Sequence, residues 1–340
     1  MSCRMMLFAV TTIVWPVSAQ TPADRTFYFA PTDTMQGIHE IATVVGAISD
    51  DKDVTTDTDR KTLTVKGTPA QIAIAEWLFG ELDKPANQFP LAQQEPDPGV
   101  HEYRVPGSAD DVVRVFYPKY AATMQDFLEV ATLVRSTANI RRLFTYNAPR
   151  AIAMRGTTSE AAMAEFLVGG LDTTQQKPGT AKLEYVNPAG GDDVVRIFFL
   201  THVGSLQSFQ EVATLMRSLG DIMRLFTYNA PKAIAMRGTA DQAALSEWLA
   251  GRLDIEGSAA PANTAAQVYR MSATPEDTVR VYYLQHAGTV ANFQQIAQFV
   301  RTTAQIRRVF TYNAPRVLAV RGTPDQIAQA DQLIQQRDRP

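Results

Sequence analysis

The chain is 340 residues long, 45% apolar and 20% charged, with a formal net charge of −3. That is enough apolar surface to fill packed cores, and the missing positive excess gives no electrostatic footprint for nucleic acid. A single cysteine, Cys3, and four histidines exclude a disulfide framework and leave little for thiol or imidazole chemistry.

In chain order, residues 1–19 come first and read as a cleavable signal peptide. Arg4 supplies the positive start, Met5 to Val17 the apolar run, and Val17-Ser18-Ala19 the small-residue cleavage site. The run is short for a bilayer span. Cleavage before Gln20 removes Arg4 and Cys3, so the mature chain is expected to carry net −4 and no thiol. No later segment is long and apolar enough to cross a membrane, and the expected location is the periplasm or another exported compartment.

The remainder repeats itself. Phe144-Thr145-Tyr146-Asn147-Ala148-Pro149 recurs at residues 226–231 and 310–315, and Ala151 to Thr157 is identical to Ala233 to Thr239. Gly67, Gly156, Gly238 and Gly322, each followed by threonine, stand 89, 82 and 84 residues apart. Four modules follow, at 26–84, 101–172, 182–254 and 267–338, with linkers at 85–100, 173–181 and 255–266. The first linker holds Pro85, Pro90, Pro96 and Pro98 and is expected to be extended and stiff.

Each module parses the same way. A short apolar run such as Arg196 to Leu200 predicts a buried strand. A helix follows, because Phe209, Val212, Ala213 and Met216 fall at i, i+3, i+4 and i+7. The same slots hold Ile38, Ile41, Ala42 and Val45; Phe127, Val130, Ala131 and Val134; and Phe293, Ile296, Ala297 and Val300. Thr34, Thr123, Ser205 and Thr289 are its expected N-caps. Two strands then flank an Asn-Ala-Pro turn, which predicts a hairpin. The last helix opens on a capping box: Thr68 with Gln71, Thr157 with Glu160, Thr239 with Gln242, Thr323 with Gln326. Modules two to four add a leading strand around Tyr103, Tyr185 and Tyr269, joined to the next by Asp110-Asp111, Asp192-Asp193 or Glu276-Asp277. The fold class is therefore α+β, a tandem array of four β-α-β-β-α modules, the last three with an extra strand. Arg337 replaces the last apolar position of the final helix, as suits the free end of an array.

This pattern resembles the short periplasmic repeat domains of bacterial secretins. Module one carries it best, through Asp57, Arg60, Leu63, Val65, Gly67, Thr68, Pro69, Ile72, Leu82 and Asp83. The later modules keep Gly-Thr and the helix but hold Tyr146, Tyr228 and Tyr312 where Asp57 stands. The resemblance implies a KH-like topology and a role in stacking against other secretion components. It does not extend to a pore-forming domain, because no long glycine-rich, alternating β segment follows the repeats.

Catalytic readings are weak. His202 and His286 share a slot that Tyr120 fills in module two, a pattern of packing. The paired aspartates read as polar hairpin turns and not as metal ligands. Gly169-Gly170 and Gly190-Gly191 lack a phosphate-loop lysine, and no Gly-x-x-Gly loop for RNA stands between helices. No enzyme activity, cofactor or metal is expected.

The candidate site is a repeated set of cations. Arg114, Arg135, Arg142, Arg150 and Arg155 recur as Arg196, Arg217, Arg224, Lys232 and Arg237, and as Arg280, Arg301, Arg308, Arg316 and Arg321. One reading is a solvated face with local salt bridges to Glu129, Glu211 and the paired aspartates. The sharper reading is a partner surface, since Tyr and Arg favour interfaces. It would comprise Tyr146, Asn147, Arg142 and Arg150; Tyr228, Asn229, Arg224 and Lys232; and Tyr312, Asn313, Arg308 and Arg316. The expected function is binding or assembly with envelope proteins or with further copies of the chain, in a secretion or pilus-type complex. The alternative is an adaptor or stalk holding a peptide or polysaccharide in inter-module grooves.

Overall fold

A computed structural model describes residues 23–88, 101–173, 181–188, 193–255, 267–272 and 277–340. The signal-peptide reading, most of each linker, Asp192 and Glu276 lie outside the described residues.

The described residues form eight α-helices alternating with four small antiparallel sheets, a tandem modular array. Module one runs β1 (Ala23–Tyr28), α1 (Met35–Ser49), β2 (Val54–Asp57), β3 (Thr62–Gly67) and α2 (Pro69–Leu82), with strand order β1-β3-β2. Module two runs β4 (His101–Arg104), β5 (Val112–Phe116), α3 (Met124–Ala138), β6 (Arg142–Tyr146), β7 (Ala151–Gly156) and α4 (Thr158–Leu171), with order β4-β5-β7-β6. Module three repeats this as β8 (Ala181–Val186), β9 (Val194–Phe199), α5 (Leu206–Gly220), β10 (Arg224–Tyr228), β11 (Ala233–Gly238) and α6 (Ala240–Leu253). Module four does so as β12 (Gln267–Arg270), β13 (Thr278–Tyr283), α7 (Val290–Thr303), β14 (Arg308–Tyr312), β15 (Val317–Gly322) and α8 (Pro324–Arg337). The hairpins keep one register, Tyr146 opposite Ala151, Tyr228 opposite Ala233 and Tyr312 opposite Val317.

The helix starts follow from their caps. Thr68, Thr157, Thr239 and Thr323 each accept the N3 amide, and the N3 side chain returns to the cap backbone. This geometry accounts for the glycine before each threonine. A Cβ on Gly156 or Gly238 would lie 2.4 Å from the carboxylate or amide oxygen of that returning side chain. The Leu-Asp at the helix end has an equally local role. Asp254 accepts the amides of Thr201, His202 and Val203, while Asp172 accepts those of Lys119, Tyr120 and Ala121. Each carboxylate thus satisfies loop donors that no strand partner reaches.

The first linker differs from expectation at its start. Pro85–Gln88 is a short 3-10 turn, and Asn87, almost fully buried, donates to the carbonyls of Glu81 and Leu82 at the end of α2.

The cores do not stop at module boundaries. Alternation sends Ile152 and Met154 of β7 toward the module's own helices and Ala151 and Ala153 toward the helix pair of module one. Val195, Ile197 and Phe199 of β9 likewise pack on α3 and α4, and Val279, Val281 and Tyr283 of β13 on α5 and α6. Each of these sheets is buried on both faces, which explains why its strands read as continuous apolar runs. The helices have two working faces as well. Leu215 lies off the predicted stripe of α5, yet it is buried in the cluster shared with module four.

The ends of the array are different. The sheet face of module one that no described helix covers carries Asp24, Thr26, Thr55, Thr62, Thr64 and Lys66, with one exposed aromatic, Tyr28, and with the Thr26 and Thr64 hydroxyls 3.0 Å apart. At the other end, Ile74, Met163 and Leu245, all buried at joints, give way to exposed Gln329. Trp77, Phe166 and Trp248 give way to exposed Gln332. Arg337 lies over the Phe299 ring, 4.3 Å from its centroid, covering the aromatic at the slot that Val44, Leu133 and Leu215 fill inside joints.

Candidate functional site at the inter-module joints

The repeated Tyr-Asn-Ala-Pro turn lies against the preceding module. Tyr146, Tyr228 and Tyr312 retain 1%, 4% and 2% of their exposure, within clusters that include the preceding helices. Burial pushes the Tyr228 hydroxyl up to about 12, with the nearby carboxylates Asp126, Asp172 and Glu129 adding to the effect. Tyr312 is also pushed up by burial, although a hydrogen bond with Ser208 opposes this.

Each asparagine locks onto one glutamate of the preceding module's first helix. Asn147 donates its backbone N–H and Nδ2 to the two oxygens of Glu40, at 2.8 and 3.0 Å. Asn229 does the same to Glu129 at 3.0 and 3.1 Å, and Asn313 to Glu211 at 2.8 and 2.9 Å. A two-point bond to a carboxylate is charge-assisted and fixes orientation as well as distance. The sequence reading that paired Glu129 and Glu211 with arginines of their own modules is corrected here, because both receive asparagines from the next module. In module four the corresponding residue is Gln295.

The five cation slots separate into distinct tasks. Arg114, Arg196 and Arg280 stay within their modules, bonding Glu165, Glu247 and Asp331 of the second helix. Burial works against the Arg114 charge, but Glu102 and Glu165 outweigh it and raise its affinity for the proton. Arg135, Arg217 and Arg301 donate to the carbonyls of Leu143, Leu225 and Val309 on the strands β6, β10 and β14, each at a sheet edge. A bulky cation seated on an edge carbonyl blocks strand addition there. Arg150, Lys232 and Arg316 take left-handed backbone, with φ of 54°, 51° and 55°, at the hairpin turns. Their side chains reach the carbonyls of Ala121, Val203 and Ala287 in the loop before the first helix of their own module.

Two slots cross the joint. Arg155 and Arg237 are held by Asp111 and Asp193 of their own modules and donate onward to carbonyls ending the preceding helix, Ile48 and Ser49 or Thr137 and Ala138. Arg321 repeats this with Asp277 and Leu219 at 2.7 and 2.6 Å. Its hydrogen bond from Arg237 holds the Asp193 carboxyl below the usual range. A guanidinium over the last carbonyls of a helix also suits the negative end of its dipole. Arg142 and Arg308 pair with Asp50 and Asp221 of the preceding module, both at 2.7 Å.

The twelve residues expected to face a partner are therefore gathered at the three joints or in loops beside them. The tyrosines and asparagines face the preceding module, so the surface they were expected to offer outside the chain is covered from within it. Four other groups were not anticipated. Glu40 was not singled out, and the partners of Glu129 and Glu211 were misassigned, because all three lie on polar faces that show no period. The positive-φ helix ends Asp50, Asn139 and Asp221 carried no glycine to mark them. Trp77, Phe166 and Trp248 meet Tyr103, Tyr185 and Tyr269 across the joints at 5.7, 5.6 and 5.5 Å between ring centroids. The first helical residues Met35, Met124, Leu206 and Val290 keep 65%, 40%, 53% and 47% of their exposure.

Open grooves run beside two joints. One of about 430 Å³ lies between α5 and α7, with Gln207, Leu215, Gln294, Arg301 and Phe310 among its walls. Its counterpart of about 370 Å³ lies between α1 and α3, bounded by Gln36, Val44, Arg135 and Phe144. Among the described residues, no group of three or more His, Cys, Asp or Glu could hold a metal ion.

No family model matches the chain, and no curated protein does so. Among solved structures, ExeD of Aeromonas hydrophila is 15% identical, with a TM-score of 0.17 over 70% of this chain and 42% of that one. Aspartate kinase from Synechocystis is 9% identical, also with a TM-score of 0.17, over 94% of this chain and 56% of the other. The chain spans about two fifths of the length of ExeD. Neither superposition carries an argument about activity. Fold and joints together define a tandem α+β repeat protein.

Proposed function

We propose that the chain is an exported protein that acts by binding, as an element of a cell-envelope assembly of the secretion or pilus type, and not by catalysis. The observation that carries the binding reading is the row of exposed apolar side chains opening α1, α3, α5 and α7. Single exposed hydrophobes need no explanation. Here one large apolar residue occupies the same helix position in all four modules, where neither the cap nor the core requires it. The envelope reading rests on the signal-peptide pattern of residues 1–19 and the secretin-like motifs of module one.

The test is site-specific photo-crosslinking in cells. A photoreactive residue replacing Met124 or Leu206 should yield discrete adducts with envelope proteins or with further copies, while one at Gln335 on the polar end should not. Equal labelling at both positions counts against the row as a binding side. Recovery of the chain in the cytoplasm with residues 1–19 intact counts against export.

The grooves beside α1–α3 and α5–α7 favour a second reading, an adaptor that holds an extended peptide or polysaccharide. Sedimentation separates the two. Assembly predicts large particles, whereas an adaptor predicts an elongated monomer.

A further inference from the structure

The three joints share one frame, namely the Asn–Glu lock, the arginine over helix-end carbonyls, and an aromatic pair. They differ in their remaining fastenings. At the first joint Arg142 pairs with Asp50, and the Tyr117 hydroxyl donates to the Glu81 carbonyl at 2.9 Å. At the third, Arg308 and Arg321 both reach Asp221, and the Tyr283 hydroxyl donates to the Arg252 carbonyl at 2.8 Å. At the middle joint the acid's place is taken by Asn139, the left-handed end of α3, so Arg224 meets no carboxylate there. The tyrosine's place is taken by Phe199, which has no hydroxyl to donate. Phe166 stands where the others have Trp77 and Trp248.

What the middle joint has instead is close apolar contact and one side-chain hydrogen bond, from Ser159 Oγ of α4 to Asn187 Oδ1 at 3.3 Å. Gly170 fills the slot of Glu81 and Arg252, and a Cβ there would lie 2.6 Å from Ile197 Cδ1 and 3.0 Å from Leu183 Cδ1. Apolar contact resists separation but carries no direction, whereas hydrogen bonds and ion pairs weaken steeply with angle and distance. Among the described residues this joint exchanges an ion pair and a tyrosine hydrogen bond for one longer hydrogen bond, so it tilts and slides more readily while staying closed.

We propose that the array flexes at the joint between modules two and three, with modules one and two and modules three and four as stiffer halves. This inference is independent of which partner the array binds.

The test uses the full chain carrying Cys3→Ser, with spin labels on cysteines at one equivalent exposed slot per module. Lys52, Arg141, Met223 and Arg307 supply that slot, and Met223 is 94% exposed. Pulsed dipolar distances across the three joints should give the broadest distribution for the Arg141/Met223 pair. Asn139→Asp with Phe199→Tyr should narrow it to the width of the other two. Equal widths, a broader distribution at another joint, or no narrowing in this variant would overturn the proposal. If the added hydroxyl prevents folding, the reverse variant decides. Asp221→Asn with Tyr283→Phe should broaden the Met223/Arg307 distribution, and an unchanged width there also overturns it.

Discussion

At the scale of single residues, the joints depend on polar atoms placed in apolar surroundings. Tyr228 shows the consequence most directly. Its hydroxyl is pushed from an unfolded value near 10 up to about 12 by burial. The folded state therefore favours the neutral phenol, so its contribution to stability is complete below pH 10 and is lost as pH rises from 10 toward 12. Stability should fall over that window, and Tyr228→Phe should reduce the fall, because phenylalanine has nothing to ionise. Thermal unfolding from pH 9 to 12, with tyrosinate absorbance recorded alongside, checks this. An identical alkaline decline in wild type and variant would refute it.

At the scale of elements, the capping boxes set where each second helix begins, and their side chains do further work. Gln242 Nε2 donates to the carbonyls of Gly220 and Asp221, tying the start of α6 to the end of α5. Thr239→Ala should remove the cap hydroxyl at a cost of about 1 kcal/mol, seen first as lost amide protection in the opening turn of α6. Unchanged exchange and unchanged unfolding would show that the helix starts elsewhere. Such elements were legible in the sequence because their signals are local. A cap, a returning side chain and a period of 3.6 all fall within one helix, and four copies of each made them unambiguous. The hairpins were legible for the same reason. The candidate site was legible in its membership but not in its direction. Tyr146 and Asn147 were singled out by repetition, yet nothing local to them says that Glu40, 107 residues away, is their partner. The Glu–Asn locks pair residues about 100 positions apart, and no periodicity spans that distance. The second face of α5 was missed because Leu215 falls outside the stripe that its own sheet requires.

At the scale of the molecule, stability passes from module to module through faces that match. The outward sheet face of modules two to four is apolar, as is the outward helix face of modules one to three, and the two kinds meet at each joint. The terminal faces break the match with Thr, Asp, Lys and a lone Tyr28 at one end and with Gln295, Gln329, Gln332 and Arg337 at the other. End-to-end association of chains is therefore disfavoured, since neither terminal face offers the apolar area that the joints bury. Sedimentation across a hundredfold concentration range should show no filament series, and the appearance of one would contradict this account. These mismatched ends also bear on how such a chain can lengthen over generations. An added copy of module two or three brings one face of each kind, so it fits between existing neighbours without any change at either terminus. An extra copy appended beyond α8 would meet a surface of glutamines and find no seat. Growth by duplication is thereby steered to the interior, where Ala151 to Thr157 and Ala233 to Thr239 are still letter-for-letter the same.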